Sequence, residues 1–464
     1  MTTLDRLTTL DTSFVWFEHP GSPVHVGAVA TFEAAPLLDE HGALRLDDLR
    51  ALIEARLDPL PRLRRRLVTV PFDLDRPVWV DDPDFDIARH VHEVRVPDPG
   101  DDAALRRLAE RIQGEVLPRD RPLWDLTFVT GLDGGRVGLI ERLHHALVDG
   151  VAGVELATIL LDVEPDAPVP EAPAWVPEPG PTGVELWAGG LRRALSAPLR
   201  AAAGAADAAR HPGRTLRSVA TLGRGVAAMT EGGLVAPPTS FNAPTRGGRR
   251  LAWTRAPLDD VRRAGKRAGG SVNDVALAAV AGGLRAVLLS RGEEIPSDLA
   301  LKVMVPVSVR NGDEHGTLGN RVGMIDAPLP VGIGDPAARL AEIVATMRRL
   351  KARPEAETVD TVLRSADALP AAAAHVLVRA MGYQPLINLV VTNVPGPPVP
   401  LYAAGARMLE AFPVVPLSAN LTLGVALLSY DGTLTFTVTA DASAFPDAEV
   451  LAAGIERSLA DLTS

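Results

Sequence analysis

A proline-rich segment constrains the fold of this chain more than any other feature, because it divides the sequence into two parts. Between residues 162 and 181, seven prolines recur at intervals of two to four residues: Pro165, Pro168, Pro170, Pro173, Pro177, Pro179 and Pro181. Proline at this density favours a stiff, extended segment over a helix or a central strand. The chain has 464 residues, which is more than one hydrophobic core usually holds. We therefore predict two folded domains joined through this segment.

The sequence on either side of the prolines sets the predicted domain boundaries. We expect an N-terminal domain over residues 1–164, a proline-rich linker and basic helical connector over 165–238, and a C-terminal domain over 239–464. Both outer parts mix strand-like alternation with apolar residues at helical spacing, so the predicted fold class is α/β with mixed α+β sheets.

The connector is helical and rich in arginine over residues 184–229. Its apolar residues fall on one helical face: Val184, Trp187, Leu191 and Leu195. Three residues are expected to break the helix: Pro198, Gly204 and Pro212. Seven arginines are opposed only by Glu185 and Asp207: Arg192, Arg193, Arg200, Arg210, Arg214, Arg217 and Arg224. Either the helix docks on anionic lipid head groups with its apolar face down, or its arginines pair with acidic surface elsewhere in the protein.

Composition excludes several classes of function. The chain contains no cysteine, which excludes disulfides, thiolate metal sites and a cysteine nucleophile. A net charge of -11 argues against nucleic-acid binding as the main function. The N-terminus lacks a basic region followed by an apolar run, and no uncharged apolar run reaches the roughly 18 residues of a spanning helix. We expect a cytoplasmic protein that touches membranes only at their surface.

The stretch His144-His-Ala-Leu-Val-Asp-Gly150 is the most specific candidate for chemistry. Residues 136–143 before it resemble a strand, and residues 151–161 after it have apolar positions at helical spacing. The two histidines are therefore predicted to lie on a turn between a strand and a helix, where a rigid scaffold displays reactive groups. Asp149 can cap the helix and Gly150 lets the backbone bend. An isolated His-His pair would favour a capped helix preceded by two structural histidines, but the full seven-residue pattern is more specific than such a pair.

Other histidines and helix starts receive structural interpretations. His25 lies in a predicted strand over residues 23–32 and is interpreted as structural. His90 and His92 share one face of another predicted strand, but no third ligand is near them in sequence, so we predict no metal site. Ser271 and Asp274 resemble a capping box at the start of a long apolar helix.

The His-His-x-x-x-Asp-Gly stretch resembles the active-site motif of the bacterial wax ester synthase/diacylglycerol acyltransferase family. That family belongs to the coenzyme A-dependent acyltransferases that share the chloramphenicol acetyltransferase fold. The resemblance covers nearly the whole chain and includes further blocks: Leu10–Glu18 with Pro23–Gly27, Pro122–Trp124, Asn273–Asp274, Val305–Arg310, Leu318–Asn320, Thr392–Pro397 and Ser429–Gly432. Condensation domains share the His-x-x-x-Asp-Gly core, but the other blocks are typical of the lipid-synthesising branch.

The resemblance implies an architecture and roles for the site residues. It implies two chloramphenicol acetyltransferase-like domains with an active-site tunnel at their interface, and it makes His145 the general base. His144 is expected to support the turn. Asp149, with Gly150, is expected to hold the turn by pairing with an arginine, although it could instead orient His145. Asn273 is a candidate donor near the oxyanion or the base, or simply a helix-start residue. The remaining substrate-binding candidates are Pro122, Leu123, Trp124, Asp274, Thr392 and Asn393.

The implied function is transfer of a fatty acyl chain from acyl-CoA to diacylglycerol or a long-chain alcohol, giving triacylglycerol or wax ester. A neutral imidazole can accept the hydroxyl proton as the new C–O bond forms, so no acyl-enzyme and no cofactor beyond acyl-CoA as co-substrate are expected. The expected partners are acyl-CoA, the acceptor lipid and a membrane or lipid-droplet surface. Two alternatives remain: a related acyltransferase or condensation enzyme with another acceptor, and a non-catalytic lipid-surface homologue.

Overall fold

The structure is a computed structural model that describes residues 4–147, 160–170, 175–211, 213, 235–308, 322–351, 375, 384–417 and 419–464. In these ranges the strands are β1 Asp5–Arg6, β2 His25–Glu33, β3 Arg65–Val68, β4 Val78–Asp81, β5 Val91–Arg95, β6 Trp124–Thr130, β7 Arg136–His144, β8 Arg249–Pro257, β9 Leu301–Ser308, β10 Val322–Leu329, β11 Leu389–Pro395, β12 Tyr402–Ala403, β13 Ala406–Val414, β14 Leu423–Tyr430 and β15 Thr433–Asp441. The α-helices are α1 Thr9–Phe17, α2 Leu46–Ala55, α3 Asp102–Gln113, α4 Gly183–Arg210, α5 Leu258–Arg267, α6 Val272–Ser290, α7 Pro336–Lys351 and α8 Ala448–Thr463. The mixed α/β fold class predicted from sequence is confirmed.

The first six-stranded sheet has the order β12-β13-β2-β7-β6-β5 and carries the two histidines. Its neighbours are antiparallel except β5 and β6, which are parallel. Strands β2 and β7 pair along their whole length, and this pairing ends with His25 opposite His144. The strand predicted over residues 23–32 therefore lies directly beside the strand that leads into the histidine turn.

Two strands of this first sheet come from the C-terminal part of the chain. Strand β13 pairs with β2 from Met408 opposite Phe32 to Val414 opposite Gly27. Residues 402–414 fall within the predicted C-terminal domain, so that part of the chain completes the N-terminal sheet and covers an edge of β2 that would otherwise be open. Alternation in a sequence indicates a half-buried strand but does not specify its neighbour.

The second six-stranded sheet has the order β10-β9-β11-β14-β15-β8. Strand β11 runs parallel to β9 and β14, and the other pairs are antiparallel. Helix α6 packs against this sheet and against α8, and its residues from Val275 to Ala281 are fully buried. Among the described helices, α6 alone is long and apolar enough to cross a membrane, and 67% of that window is buried inside the protein.

A small three-stranded sheet has the order β1-β4-β3, and helix α4 packs beside it through a cluster of Val70, Val78, Val80 and Leu186. The predicted helix breaks at Pro198 and Gly204 are wrong, because α4 runs from Gly183 to Arg210. An interior proline removes one backbone hydrogen bond, at a cost of about 3 kcal/mol, but its fixed φ is compatible with a helix. The many alanines that follow have the highest helix propensity and favour continuation. Pro212 lies outside the described residues.

Candidate active site

The turn that carries the two histidines is fixed by hydrogen bonds from three consecutive backbone N–H groups. Strand β7 ends at His144, and a single 3-10 turn covers His145–Leu147. The N–H of His144 donates to the carbonyl of Leu123 at 2.9 Å, and that of His145 donates to the carbonyl of Val24 at 2.9 Å. The N–H of Ala146 donates to Nδ1 of His144 at 3.1 Å. The chain segments on both sides and the His144 ring therefore set the direction in which His145 projects.

The two histidines differ in what can reach them. His144 is fully buried, whereas part of the surface of His145 remains accessible. Nδ1 of His145 is itself buried and makes no well-formed hydrogen bond to a described residue. We therefore expect Nε2 to be the ring nitrogen that meets a substrate.

The surroundings of His145 keep its ring uncharged. Phe14 of helix α1 stacks on this ring with a centroid distance of 4.0 Å and an interplanar angle of 27°. Burial in this environment lowers the pKa of His145 to about 4, because the charged imidazolium loses its hydration. At neutral pH the imidazole is consequently in the form that can accept a proton.

Glu18 is a functional candidate that the sequence reasoning missed. It follows helix α1, and its side chain is only 3% exposed. Its Oε1 lies 3.4 Å from Nε2 of His25 and 3.5 Å from Nε2 of His144, and its Oε2 accepts from Nη2 of Arg119 at 2.8 Å. Burial raises the pKa of Glu18, but the neighbouring His144, His25 and Arg119 together hold it well below its usual range.

The signal that could have identified Glu18 was its position at the end of the Leu10–Glu18 block. His25 belongs to the next block, and it is buried, with its pKa lowered to about 4 by that burial. Sequence spacing gave no indication that a helix end would bring a carboxylate to both His25 and His144.

The Pro122–Trp124 block lies beside the end of β7. Leu123 and Trp124 are buried, and the carbonyl of Leu123 accepts the His144 N–H. Trp124 donates from Nε1 to the carbonyl of Leu63 at 2.8 Å, and its ring stacks on that of His90. These contacts hold the strands that support the histidine turn, and substrate contact by this block stays a prediction.

Asn273 and Asp274 lie in the first turn of α6. Asp274 and Ser271 form the predicted capping box: the Ser271 N–H donates to Oδ2 of Asp274 at 2.7 Å, and the Asp274 N–H donates to Oγ of Ser271 at 3.4 Å. Asn273 is half-buried. Its role near an oxyanion stays a prediction.

Thr392 and Asn393 are half-buried on β11, where they pair in register with Ala426 and Leu427 of β14. On the other side of β11, pairing with the described part of β9 covers only Leu389 and Val390. The two side chains therefore lie beyond the point where that ladder ends. Their predicted place along the substrate channel is compatible with this position and is not tested by it.

Asp149 and Gly150 lie outside the described residues, so the predicted pairing of Asp149 with an arginine stays a prediction. Within the described part of the chain, no group of three or more His, Asp or Glu side chains is arranged to hold a metal ion. His90, one of the two histidines weighed as metal ligands, is buried and places Nδ1 2.8 Å from the carbonyl of Trp124.

Known protein families and proteins resemble this chain over nearly its whole length. The wax ester synthase/diacylglycerol acyltransferase catalytic domain matches residues 7–276, and the C-terminal domain of the same family matches residues 318–463. A putative diacylglycerol O-acyltransferase of Mycobacterium tuberculosis is 33% identical over 99% of this chain and 90% of its own length. A second protein of that organism, a probable diacylglycerol O-acyltransferase, is also 33% identical, over 99% of this chain and 96% of its own.

Solved structures show the same relationship. The wax ester synthase/diacylglycerol acyltransferase from Marinobacter aquaeolei VT8 superposes with a TM-score of 0.68 at 25% identity, covering 98% of each chain. The first condensation domain of the CDA synthetase superposes with a TM-score of 0.57 at 18% identity over 100% of this chain and 96% of its own, which is a likeness of fold alone. The two family domains together span most of the sequence, so the chain belongs to the wax ester synthase/diacylglycerol acyltransferase family.

Proposed function

We propose that this protein transfers a fatty acyl chain from acyl-CoA to the hydroxyl of diacylglycerol or a long-chain alcohol, with His145 as general base. The observation that carries the proposal is the contrast between the paired histidines. His145 is neutral, partly accessible and held on a fixed turn, whereas His144 is fully buried. A general base must be both uncharged and within reach of the proton that it removes.

The reaction follows from this protonation state. Nε2 of His145 accepts the hydroxyl proton while the hydroxyl oxygen attacks the thioester carbonyl and a C–O bond forms. The resulting oxyanion requires positioned donors, and the Asn273 amide is our candidate. Collapse of the intermediate breaks the C–S bond, and the imidazolium returns its proton to the sulfur of the departing coenzyme A. General-base catalysis of this kind contributes roughly 10²–10⁴ in rate.

The low pKa of His145 suits a concerted transfer. Burial disfavours an isolated imidazolium, so the proton moves readily only as negative charge develops on the adjacent oxyanion. The chain has no cysteine, which agrees with direct transfer and no thioester on the enzyme. Acyl-CoA and the acceptor would meet at His145 through a tunnel between the two parts of the protein.

Product analysis tests this proposal. Purified protein is given radiolabelled palmitoyl-CoA with diacylglycerol or with hexadecanol, and triacylglycerol and wax ester are separated. We expect ester formation by the wild type, a loss of about 10²-fold or more in His145→Ala, and no change in His41→Ala, whose side chain is exposed. Ester formation by the wild type no greater than in a protein-free blank would support a non-catalytic lipid-surface protein instead, and equal ester formation above that blank by wild type and His145→Ala would overturn His145 as the base.

We further propose that the protein works at a membrane or lipid-droplet surface, where its water-insoluble acceptor is dissolved. Four apolar residues on helix α4 are 41 to 75% exposed: Val184, Trp187, Leu195 and Leu199. The opposite side of α4 packs on the small sheet through Leu186 and Gly190. Exposed apolar area of this kind is typical of an interaction surface, and Arg192 beside it is exposed and favours anionic head groups.

Phe72 is a further exposed apolar residue near helix α4. It is 86% exposed with a φ of 60°, a conformation that bulky residues rarely adopt. Its neighbours Val70 and Leu74 contact α4 at Gly190. Flotation with vesicles of phosphatidylglycerol tests the surface: we expect Phe72→Ser with Leu195→Ser to weaken binding and the exposed control Leu289→Ser to leave it unchanged. Equal binding by all three proteins contradicts the proposed surface.

A further inference from the structure

We infer that Glu18 is a positioning residue for acyl transfer. Its buried carboxylate holds both the ring of His144 and the backbone of Val24, and each of these groups in turn holds the turn that projects His145. The inference rests on the proposed function of His145, since positioning matters for catalysis only if that ring is the base.

The first connection runs through Val24. Oε1 of Glu18 accepts a hydrogen bond from the Val24 N–H at 3.2 Å. The carbonyl of the same residue accepts the N–H of His145 at 2.9 Å. One carboxylate oxygen therefore fixes the segment that anchors the backbone of the proposed base.

The second connection runs through the tautomer of His144. Nδ1 of His144 accepts the Ala146 N–H at 3.1 Å, so that nitrogen carries no proton. The ring proton is consequently on Nε2, which lies 3.5 Å from Oε1 of Glu18. A carboxylate at this distance stabilises the Nε2–H tautomer by an ion–dipole interaction, and this tautomer alone leaves Nδ1 free to accept from Ala146.

The location of Glu18 argues that this arrangement serves more than packing. A carboxylate buried to this extent loses its hydration, which is costly unless other groups compensate. Arg119 offsets part of this loss by donating to Oε2 of Glu18 from the surface side. Oε1 of Glu18 is left directed at Val24, His25 and His144. A hydrophobic side chain of similar size would pack in this place without that cost, so the charge points to orientation of the histidine turn.

Helix α1 contacts the histidine turn through a second residue, Phe14. Phe14 lies one helical turn before Glu18, and its carbonyl accepts the Glu18 N–H at 3.2 Å. Residues four apart share one face of a helix, so the face that presents Glu18 to His144 also presents the Phe14 ring to His145. The end of α1 therefore contacts both histidines of the motif.

The test compares Glu18→Ala and Glu18→Gln with wild type, and uses Glu33→Gln, an exposed glutamate at the far end of β2, as the matched control. In Glu18→Ala we expect kcat to fall about 10- to 100-fold while KM for palmitoyl-CoA changes little, as for other residues that orient a reacting group through a neighbour. Glu18→Gln keeps an acceptor oxygen and should show an intermediate kcat. Glu33→Gln should match wild type.

Nitrogen-15 NMR of the histidine rings provides a readout that general loss of stability would not imitate. We expect His144 to give Nε2–H tautomer signals in the wild type and to gain a population of the Nδ1–H form in Glu18→Ala. A folded Glu18→Ala protein with wild-type kcat, or with unchanged His144 signals, overturns the inference. If Glu18→Ala does not fold, wild-type kcat together with unchanged signals in Glu18→Gln overturns it.

The two proposals fail in different ways. A wild-type protein that makes no ester with any acceptor offered, yet shows the tautomer shift, overturns the acyltransferase function and leaves the link between Glu18 and His144 intact. An active wild type with an insensitive Glu18 overturns only the positioning role.

Discussion

The ring of Phe14 covers one face of the His145 ring at a centroid distance of 4.0 Å. Because burial is the main cause of the lowered pKa of His145, removing this cover in Phe14→Ala should raise that pKa from about 4 toward its usual 6.5. The base must be neutral, so the acidic limb of the profile of kcat/KM against pH should move to higher pH and activity near pH 5.5 should fall. Phe85→Ala is the control, since Phe85 packs on His90 instead. A Phe14→Ala profile that coincides with wild type contradicts this account.

Folding stability should decline on mild acidification. Burial is the largest cause that lowers the pKa values of His25, His90 and His145 to about 4. Between pH 6.5 and 4 the unfolded chain therefore binds more protons than the folded one, and stability is lost as pH falls through that window. Each group contributes at most about 1.4 kcal/mol per pH unit. Urea unfolding at pH 7.5 and pH 5.5 measures the difference, and equal free energies of unfolding at the two pH values contradict the prediction.

Glu141 should act in the opposite direction. Burial raises its pKa to about 7, from an ordinary value of 4.5. The folded chain therefore holds this proton where the unfolded chain releases it, so the protein loses stability as pH rises from 4.5 past 7. Glu141→Gln should be more stable than wild type at pH 8 and close to it at pH 5, whereas Glu33→Gln should show no such difference. A Glu141→Gln protein no more stable than wild type at pH 8 would show that the carboxyl is not penalised by burial.

The elements that were predictable from sequence are those set by local patterns. The strand that ends at His144 follows from its mixture of apolar and polar positions, and the capping box at Ser271 and Asp274 follows from the spacing of two polar residues. Contacts between distant segments were not predictable. Glu18 reaches His144 only because β2 and β7 are neighbours, and β13 enters the first sheet from a part of the chain almost 400 residues away from β2. No local pattern encodes either partner.

Helix α4 illustrates a different limit of the sequence reasoning. Proline and glycine at positions 198 and 204 predicted breaks, but α4 continues through both. The anchoring of α4 by Leu186 against Val70 and Val78, together with its alanine content, outweighs the local penalty. Helix propensity is summed over the whole segment, so two unfavourable residues did not end the helix.

The close approach of β2 to β7 gives a final prediction, at Gly27. A Cβ atom at this position would lie 2.0 Å from the carbonyl oxygen of Glu141, which is backbone and cannot move alone. Gly27→Ala should therefore push the two strands apart, destabilise the fold by about 1–3 kcal/mol and, because Val24 anchors His145 three residues away, lower ester formation as well. Gly189→Ala is the control: it lies in α4 with open space around it, and alanine there should be neutral or slightly stabilising. Urea unfolding and the palmitoyl-CoA assay measure both effects, and a Gly27→Ala protein as stable as wild type would mean that the strands can separate without cost.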